Sequence, residues 1–189
     1  MNQGPFADPI TLPAGETVFY GVTVAENGLV SPLGIYSYVI GGVIEQIQFA
    51  DPAFESTLRQ QLNLEADVPI YSNDLWDVKQ ITLGSDVTDY TDLKWLPDLE
   101  VLTAESCAAA SLAPLAHLTK LNTLYLSGRI MSADDLKLIA ALPELRTLSL
   151  PSCQISSIAG LANAKKLTYL NLNDNPIRDV GVIAAMTEL

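Results

Sequence analysis

A leucine that returns at a nearly fixed interval is the feature that most constrains the fold of this chain. It occurs at Leu99, Leu121, Leu145, Leu167 and Leu189, so the spacings are 22, 24, 22 and 22 residues. The first four of these leucines each begin a phrase with a second apolar residue three positions later. Self-similarity at such a period predicts a solenoid, in which each repeat buries its apolar face against its neighbours.

Five successive units follow one plan between residues 78 and 189. Each begins with alternating apolar residues, which favour a short strand, and ends with an apolar stripe at helical or 3₁₀ spacing. The strand phrases are VKQITL, LEVLTA, LNTLYL, LRTLSL and LTYLNL. The pattern predicts an α/β leucine-rich repeat solenoid, with a curved parallel sheet on its concave side and helices or 3₁₀ turns on its convex side.

The sequence predicts three regions: a β-rich segment over 1–50, a helical cap over 51–77 and repeats over 78–189. In the first, β-forming residues at 17–24, 35–40 and 43–49 predict a small three-stranded meander, with a turn at 26–28. In the second, Asp51 followed by Pro52 is typical of a helix start. A second short helix is expected near Asn73. This cap covers the apolar edge of the first repeat.

The unit LTYLNLNDNPIRDVGVIAAM resembles the 22-residue bacterial leucine-rich repeats of the internalin type, and the resemblance covers about residues 51–189. It implies that the ninth position of each unit is usually Asn, whose side chain bonds the backbone of the neighbouring turn. Asn175 holds that position here, and Cys107 and Cys153 hold it in two other units. The two cysteines lie two repeats apart, about 10 Å at the usual strand spacing, so no disulfide is expected.

Two departures from the regular repeat carry further expectations. The third unit is longer, and its Ser132 and Asp135 resemble a capping box, which predicts a true α-helix on the convex side. Leu189 occupies the first core position of a sixth unit, without a polar cap after it. We therefore expect the natural chain to continue, with self-association through this uncapped end as the alternative.

Charge and composition argue against several classes of partner. The net charge is −12, and residues 1–98 carry 14 acidic but 3 basic side chains. Nucleic acids and anionic membrane surfaces attract clustered Lys and Arg, so neither is an expected partner. No apolar run reaches the roughly 20 residues of a membrane-spanning helix, and no basic leader precedes an apolar run at the start.

The sequence indicates no catalytic, cofactor-binding or metal site. Motifs of phosphate loops, metalloproteases and nucleophile elbows are absent. His117, the single histidine, is expected to be solvated on the convex side. Asp86, Asp89 and Asp92 recur every three residues, but this spacing does not match a calcium loop, and Asp89 falls at a turn-capping position.

The concave face of the sheet is the best candidate for a binding surface. Alternate strand residues point to opposite faces, so the residues between the core leucines line it. This face is rich in hydroxyls and amides and nearly uncharged, and tyrosine offers a rigid contact area with a polar tip. The candidate partner-binding residues are Tyr125, Tyr169, Asn171, Glu105, Thr103, Thr123 and Thr147. Thr and Tyr are also good strand formers, so an idle face is the alternative.

Together these features predict a non-catalytic recognition module that binds a protein partner through the concave face. The resemblance implies an extracellular or cell-surface location on a bacterium, with the cytoplasm as the alternative. A second hypothesis is a structural spacer or self-assembly segment of a larger surface protein. A third, an enzyme or glycan-binding domain, rests on residues 1–50.

Overall fold

A computed structural model of the protein describes residues 15–21, 34–40, 44–106 and 108–189. Contacts divide the chain into two units, residues 1–44 and 45–189. In the first, the described residues form an antiparallel strand pair, β1 (Gly15–Gly21) and β2 (Gly34–Ile40). The strand predicted at 35–40 is thereby confirmed. Residues 22–24, the turn at 26–28 and Val43 lie outside the described residues.

The third strand predicted for the N-terminal meander is wrong. Residues 44–49 make a single antiparallel bridge, between Gln46 and Tyr71. The N–H of Ile47 donates to the carbonyl of Ile70 (2.8 Å), and Ile47 is buried. The alternation of apolar residues in this segment therefore serves contact with the helical cap. The division into 1–50, 51–77 and 78–189 stays a prediction.

The predicted helical cap is confirmed as α1 (Pro52–Leu62), followed by the 3₁₀ helix η1 (Ser72–Leu75). Asp51 is its N-cap, because the carboxylate Oδ1 accepts hydrogen bonds from the backbone N–H groups of Ala53 and Phe54. Phe54 and Leu58 are fully buried. The apolar stripe of α1 thus covers the core of the first repeat, where a bare edge would otherwise contact water.

Within residues 45–106 and 108–189, five parallel strands form one sheet, and strands that are neighbours in the sheet are consecutive in the sequence. They are β3 (Gln80–Leu83), β4 (Val101–Ala104), β5 (Thr123–Leu126), β6 (Thr147–Ser149) and β7 (Tyr169–Asn171). Each pairs with the next at the same repeat position, so Gln80 lies opposite Val101 and Thr147 opposite Tyr169. The repeat period alone fixes this register, because one full unit separates neighbouring strands.

The other side of the repeats carries short helices. They are η2 (Thr91–Trp95), η3 (Ala113–His117), α2 (Ala133–Ala140), η4 (Ala159–Asn163) and η5 (Gly181–Ala185). The capping box of α2 is confirmed, since the N–H of Asp135 donates to Ser132 Oγ and the N–H of Ser132 donates to Asp135 Oδ2. Gly160 lets η4 approach this helix, because a Cβ there would lie 2.8 Å from the carbonyl oxygen of Ala133.

The core is a ladder of buried leucines between the sheet and these helices. Leu99, Leu121 and Leu167 are fully buried, and Leu145 is nearly so. Burial decreases in the last repeat, where the strand leucines are half-buried.

The ninth position of the repeat acts as the resemblance implies. Asn175 Nδ2 donates to the carbonyls of Leu150, Leu172 and Asn173 at 2.7–3.1 Å, and its Oδ1 accepts from the N–H groups of Cys153 and Ile155 at 3.0 and 2.9 Å. One amide therefore satisfies five backbone groups of two successive turns.

Two other side chains hold the same position with different chemistry. The Sγ of Cys153 contacts the carbonyls of Leu126 (3.7 Å) and Pro151 (3.4 Å), and the residue is buried. Arg129 holds the position in the third unit and donates from Nη1 to the carbonyl of Ala109 (3.1 Å). Cys107 lies outside the described residues.

Two carboxylates fasten the cap to the first repeat. Asp51 Oδ2 accepts from the N–H groups of Thr88 (2.8 Å) and Asp89 (2.9 Å). In return, Asp92 accepts from the N–H groups of Ala50 and Asp51 at 2.8–3.0 Å. We call this reciprocal pair, Asp51 and Asp92, the carboxylate clamp.

The clamp predicts a dependence of stability on pH. Burial alone raises the pKa of Asp51, but the N–H donors of Thr88, Asp89, Ala53 and Phe54 outweigh it and lower the pKa below its ordinary value. A lowered folded-state pKa contributes stability above the unfolded-state pKa, and this stability is lost as the pH falls through the folded-state value. We expect the free energy of unfolding of residues 45–189 to fall below about pH 4.

The variant Asp51→Asn isolates the contribution of this carboxylate. We expect it to be less stable than the parent chain at neutral pH and to lose less stability between about pH 4 and pH 2. Both tryptophans of the chain, Trp76 and Trp95, lie in residues 45–189, so their fluorescence during urea unfolding reports on this unit. Parallel pH profiles for parent and variant would contradict the prediction.

Candidate functional site

The sheet face opposite the short helices presents aligned rows of side chains, one from each repeat. Two rows belong to the strands: Gln80, Val101, Thr123, Thr147 and Tyr169; and Thr82, Thr103, Tyr125, Ser149 and Asn171. A third row follows the strands directly: Gly84, Glu105, Ser127, Pro151 and Asn173. We call these three rows the concave face. The alternation predicted from the spacing of the leucines is thereby confirmed for the two strand rows.

The predicted candidates all lie on this face, with different accessibility. Tyr125 is 39% and Tyr169 is 52% exposed, while the leucines that alternate with Tyr125 in β5 are buried. Glu105 is also exposed, whereas the predicted candidates Thr103, Thr123, Thr147 and Asn171 are half-buried. The two tyrosines are therefore the large apolar side chains that are exposed on this face. A binding role for these residues stays a prediction.

A hydrogen-bond network fixes one end of the concave face. Asn171 Nδ2 donates to Ser149 Oγ (3.1 Å), and Asn171 Oδ1 accepts from the N–H of Asn173 (3.0 Å). Ser149 is 6% exposed, so a partner has little access to it. The amide of Asn171 is held in one orientation, so its side chain is ordered before any partner arrives.

A small depression lies beside Tyr125. Its volume is about 170 Å³. Aromatic, acidic and hydroxyl-bearing residues line it together with three apolar ones: Thr103, Glu105, Tyr125, Ser127 and Ser149, and Ala104, Leu126 and Pro151. Glu105 is the charged residue among the three rows of the concave face. A carboxylate next to an exposed aromatic ring therefore distinguishes this depression from the rest of the face.

A larger groove of about 430 Å³ lies where the cap meets the first strands. The polar side chains that line it are Thr57, Gln60, Gln61, Gln80, Thr82 and Thr103. Gln61 Nε2 donates to the backbone carbonyl of Gln80 (2.7 Å), a group on the edge strand of the sheet. The contribution of α1 to this surface is not among the predictions from the sequence. The sequence signal for it is the polar side of α1, opposite the buried Phe54 and Leu58.

Basic side chains near the sheet are already paired. Lys79 and Lys120 both contact Asp98, at the end where the strands begin. Hydrogen bonding to Lys120, which outweighs burial, lowers the pKa of Asp98, with a further contribution from Lys79. The cations beside the sheet are thus neutralised locally, and the accessible charge on the concave face is negative.

Two of the three aspartates that recur every three residues, Asp89 and Asp92, accept hydrogen bonds from backbone N–H groups. Asp92 belongs to the carboxylate clamp, while Asp89 Oδ1 accepts from the N–H of Thr91 (2.8 Å). The turn-capping role predicted for Asp89 is confirmed, and Ser157 and Asp179 do the same in later repeats. Among the described residues, no group of three or more His, Cys, Asp or Glu side chains could hold a metal ion. His117 is exposed at the end of η3, as expected.

Within the part of the chain that the structure describes, helices are too short and too polar to cross a lipid bilayer.

Comparison with known proteins supports the same assignment of fold. Residues 143–185 match the family model described as Leucine Rich repeats (2 copies). Internalin C2 of Listeria monocytogenes is 26% identical, with a TM-score of 0.65 over 75% of this chain and 62% of that one. Internalin F of the same organism is 20% identical, with a TM-score of 0.58 over 75% of this chain and 48% of that one. No significant match is found among curated protein sequences.

These similarities concern the repeat region and not the full length of either internalin. The chain spans 62% of one internalin and 48% of the other. At 20% identity, the likeness to internalin F concerns the fold alone. The resemblance predicted from the repeat phrase is confirmed: residues 45–189 form a leucine-rich repeat solenoid of the internalin type, similar in fold to two internalins of Listeria monocytogenes.

Proposed function

We propose that this chain is a non-catalytic recognition module that binds a protein partner through its concave face. The observation that carries the proposal is the exposure of Tyr125 and Tyr169 on an otherwise hydroxyl- and amide-rich sheet. A leucine-rich repeat fold is consistent with protein interaction, because stacked repeats offer an extended surface for a partner. No cofactor and no nucleic acid enters the proposal.

The two tyrosines suit the role of anchors. Tyr125 lies in the middle strand of the sheet, and Tyr169 lies two strands away on the neighbouring row. The separation of two strands is about 10 Å, so one partner surface can contact both. Large aromatic side chains near the centre of a contact contribute most of the binding free energy in known interfaces.

The proposal is tested by replacing both anchors. We expect the double variant Tyr125→Ala/Tyr169→Ala to weaken partner binding at least about a hundredfold, since truncating one anchor typically costs 2 kcal/mol or more. Stability is expected to change little, because both rings are exposed. The measurement is capture of proteins from host-cell surface fractions, followed by titration of the captured partner with each purified chain.

A matched control removes the same kind of surface elsewhere. Ile130 and Val180 are 69% and 56% exposed, and both lie outside the strands of the sheet. The double variant Ile130→Ala/Val180→Ala is expected to bind as the parent chain does. Equal loss of partner in the two double variants, or no loss in either, would contradict recognition through the concave face.

The proposed location is the bacterial cell surface or the surrounding medium, with the cytoplasm as the alternative. The support is the internalin-type repeat and its likeness to internalin C2 of Listeria monocytogenes. Immunodetection of the full-length protein in secreted, surface and cytoplasmic fractions distinguishes these locations.

A spacer or self-assembly segment is the alternative function. In that role, the stacked repeats would set a distance between other parts of a larger surface protein, or copies of the chain would associate with one another. Sedimentation equilibrium across a range of concentrations tests the self-assembly part, since a constant monomer mass excludes association between copies.

A further inference from the structure

We propose that the depression beside Tyr125 is a subsite for one cationic side chain, a lysine or arginine of the protein partner. This inference rests on the function proposed above and adds the chemistry of the residue recognised. The depression combines a carboxylate, an aromatic face and hydroxyl groups, from Glu105, Tyr125, Thr103 and Ser127. A carboxylate offers a charge-assisted hydrogen bond, and the ring attracts a cation above its face.

Glu105 is available for such a partner. The carboxylate forms no ion pair with any described residue. The ninth-position arginine of the next repeat, Arg129, is committed elsewhere, because it donates to the carbonyl of Ala109 and lies 3.6 Å from Asp135. Only 13% of the Arg129 side chain is exposed. An incoming cation therefore meets a carboxylate without an internal competitor.

The position of Glu105 fits simultaneous contact with the ring. Thr103 lies directly opposite Tyr125 across β4 and β5, and Glu105 follows Thr103 by two residues. Neighbouring strands lie about 4.8 Å apart and two residues rise about 6.6 Å, so the two Cα atoms are separated by about 8 Å, within reach of long side chains. A guanidinium or ammonium between the two would contact both groups at once.

Size and charge restrict the occupant further. At about 170 Å³ the depression accommodates one side chain, not a folded element. The larger groove at the cap is lined by neutral amides and hydroxyls, so it offers no comparable preference for a cation. The net charge of −12 also attracts basic partners over long distances and raises their association rate.

The test uses capped tripeptides and the full 189-residue chain. Acetyl-Gly-Arg-Gly-amide and its lysine analogue are titrated while backbone amide shifts are followed by NMR. The control peptide replaces arginine by citrulline, which keeps the shape but lacks the charge. We expect saturable shifts at residues 103–105 and 125–127 with dissociation constants on the order of millimolar. The citrulline peptide should bind at least about tenfold more weakly.

Protein variants separate this subsite from general attraction to a negative chain. Glu105→Gln should weaken binding of the arginine peptide about tenfold, and Tyr125→Leu should weaken it as well. Glu144→Gln removes one charge from an exposed carboxylate outside the concave face and should change binding less than about twofold. Absence of saturable shifts, equal binding of the citrulline peptide, or equal effects of the two glutamate variants would overturn the subsite.

Failure of the subsite remains distinguishable from failure of the proposed function. If the tripeptides do not bind but Tyr125→Ala/Tyr169→Ala still loses the captured partner, recognition through the concave face stands and the cationic subsite is wrong. If the tripeptides bind but the captured partner is retained by the tyrosine variant, the concave-face function is wrong, and so is the assignment of this subsite to a protein partner.

Discussion

Replacing Asp92 by alanine should lower the free energy of unfolding of residues 45–189 by about 3 kcal/mol or more. The side chain is 1% exposed, and both of its oxygens accept from the N–H of Ala50. Its Oδ2 also accepts from the N–H of Asp51 (2.9 Å). Alanine leaves the buried N–H of Asp51 without this acceptor and frees the start of α1 from the first repeat. The hydrogen bond between Asp51 and Asp92, which are 41 positions apart, then no longer holds the cap against the first repeat.

Urea unfolding followed by fluorescence of Trp76 and Trp95 measures this loss. Asp89→Ala is the matched control, because that carboxylate is exposed and accepts from the single backbone N–H of Thr91. It should cost about 1 kcal/mol, as for a typical capping side chain. Asp92→Asn should fall between the two, since an amide oxygen still accepts but carries no charge. Similar losses of unfolding free energy for Asp92→Ala and Asp89→Ala would contradict a larger contribution from the clamp than from an ordinary capping side chain.

Replacing Asn175 by alanine should cost about 2–3 kcal/mol. Its amide satisfies three carbonyls and two N–H groups, belonging to the turns of the fourth and fifth repeats. Alanine removes all five hydrogen bonds. Two turns that are now joined by one side chain would then each depend on water for their backbone groups.

Two control variants separate the effect of the Asn175 amide from the effect of replacing an asparagine in general. Asn173→Ala changes an exposed amide and keeps the backbone groups, so it should alter stability by less than about 0.5 kcal/mol. Asn175→Cys should cost less than Asn175→Ala, because Cys153 contacts two carbonyls from the equivalent position. Urea unfolding and amide exchange at 150–155 measure both effects. A cysteine variant no better than alanine would contradict the equivalence of the two side chains.

Much of the repeat unit could be predicted from the sequence because its local signals agree. The leucine period determines which residues face the core, and one unit per strand then determines the register of the sheet. Short-range capping is also readable, as at Ser132 and Asp135, since the partners are three residues apart. The rows of the concave face follow from alternation alone, which explains why all seven predicted candidates lie on one surface.

The failures share a different cause. Asp92 has the spacing of a weak metal motif, yet it contacts the N–H groups of residues about forty positions earlier. No local pattern encodes such a distance. The strand expected at 43–49 fails for a related reason, because pairing depends on which neighbour is available and Gln46 meets Tyr71 instead. Likewise, the ninth-position role of Arg129 depends on how far a long side chain can reach.

The carboxylate clamp has a consequence for the order in which residues 45–189 fold. Its hydrogen bonds join residues about forty positions apart, so the chain between Asp51 and Asp92 must close as a loop before they form. The hydrogen bond from the N–H of Thr91 to Asp89 needs no such closure, because its partners are two residues apart. Docking of the cap is therefore expected to come late in folding, so a weakened clamp would speed unfolding more than it slows refolding.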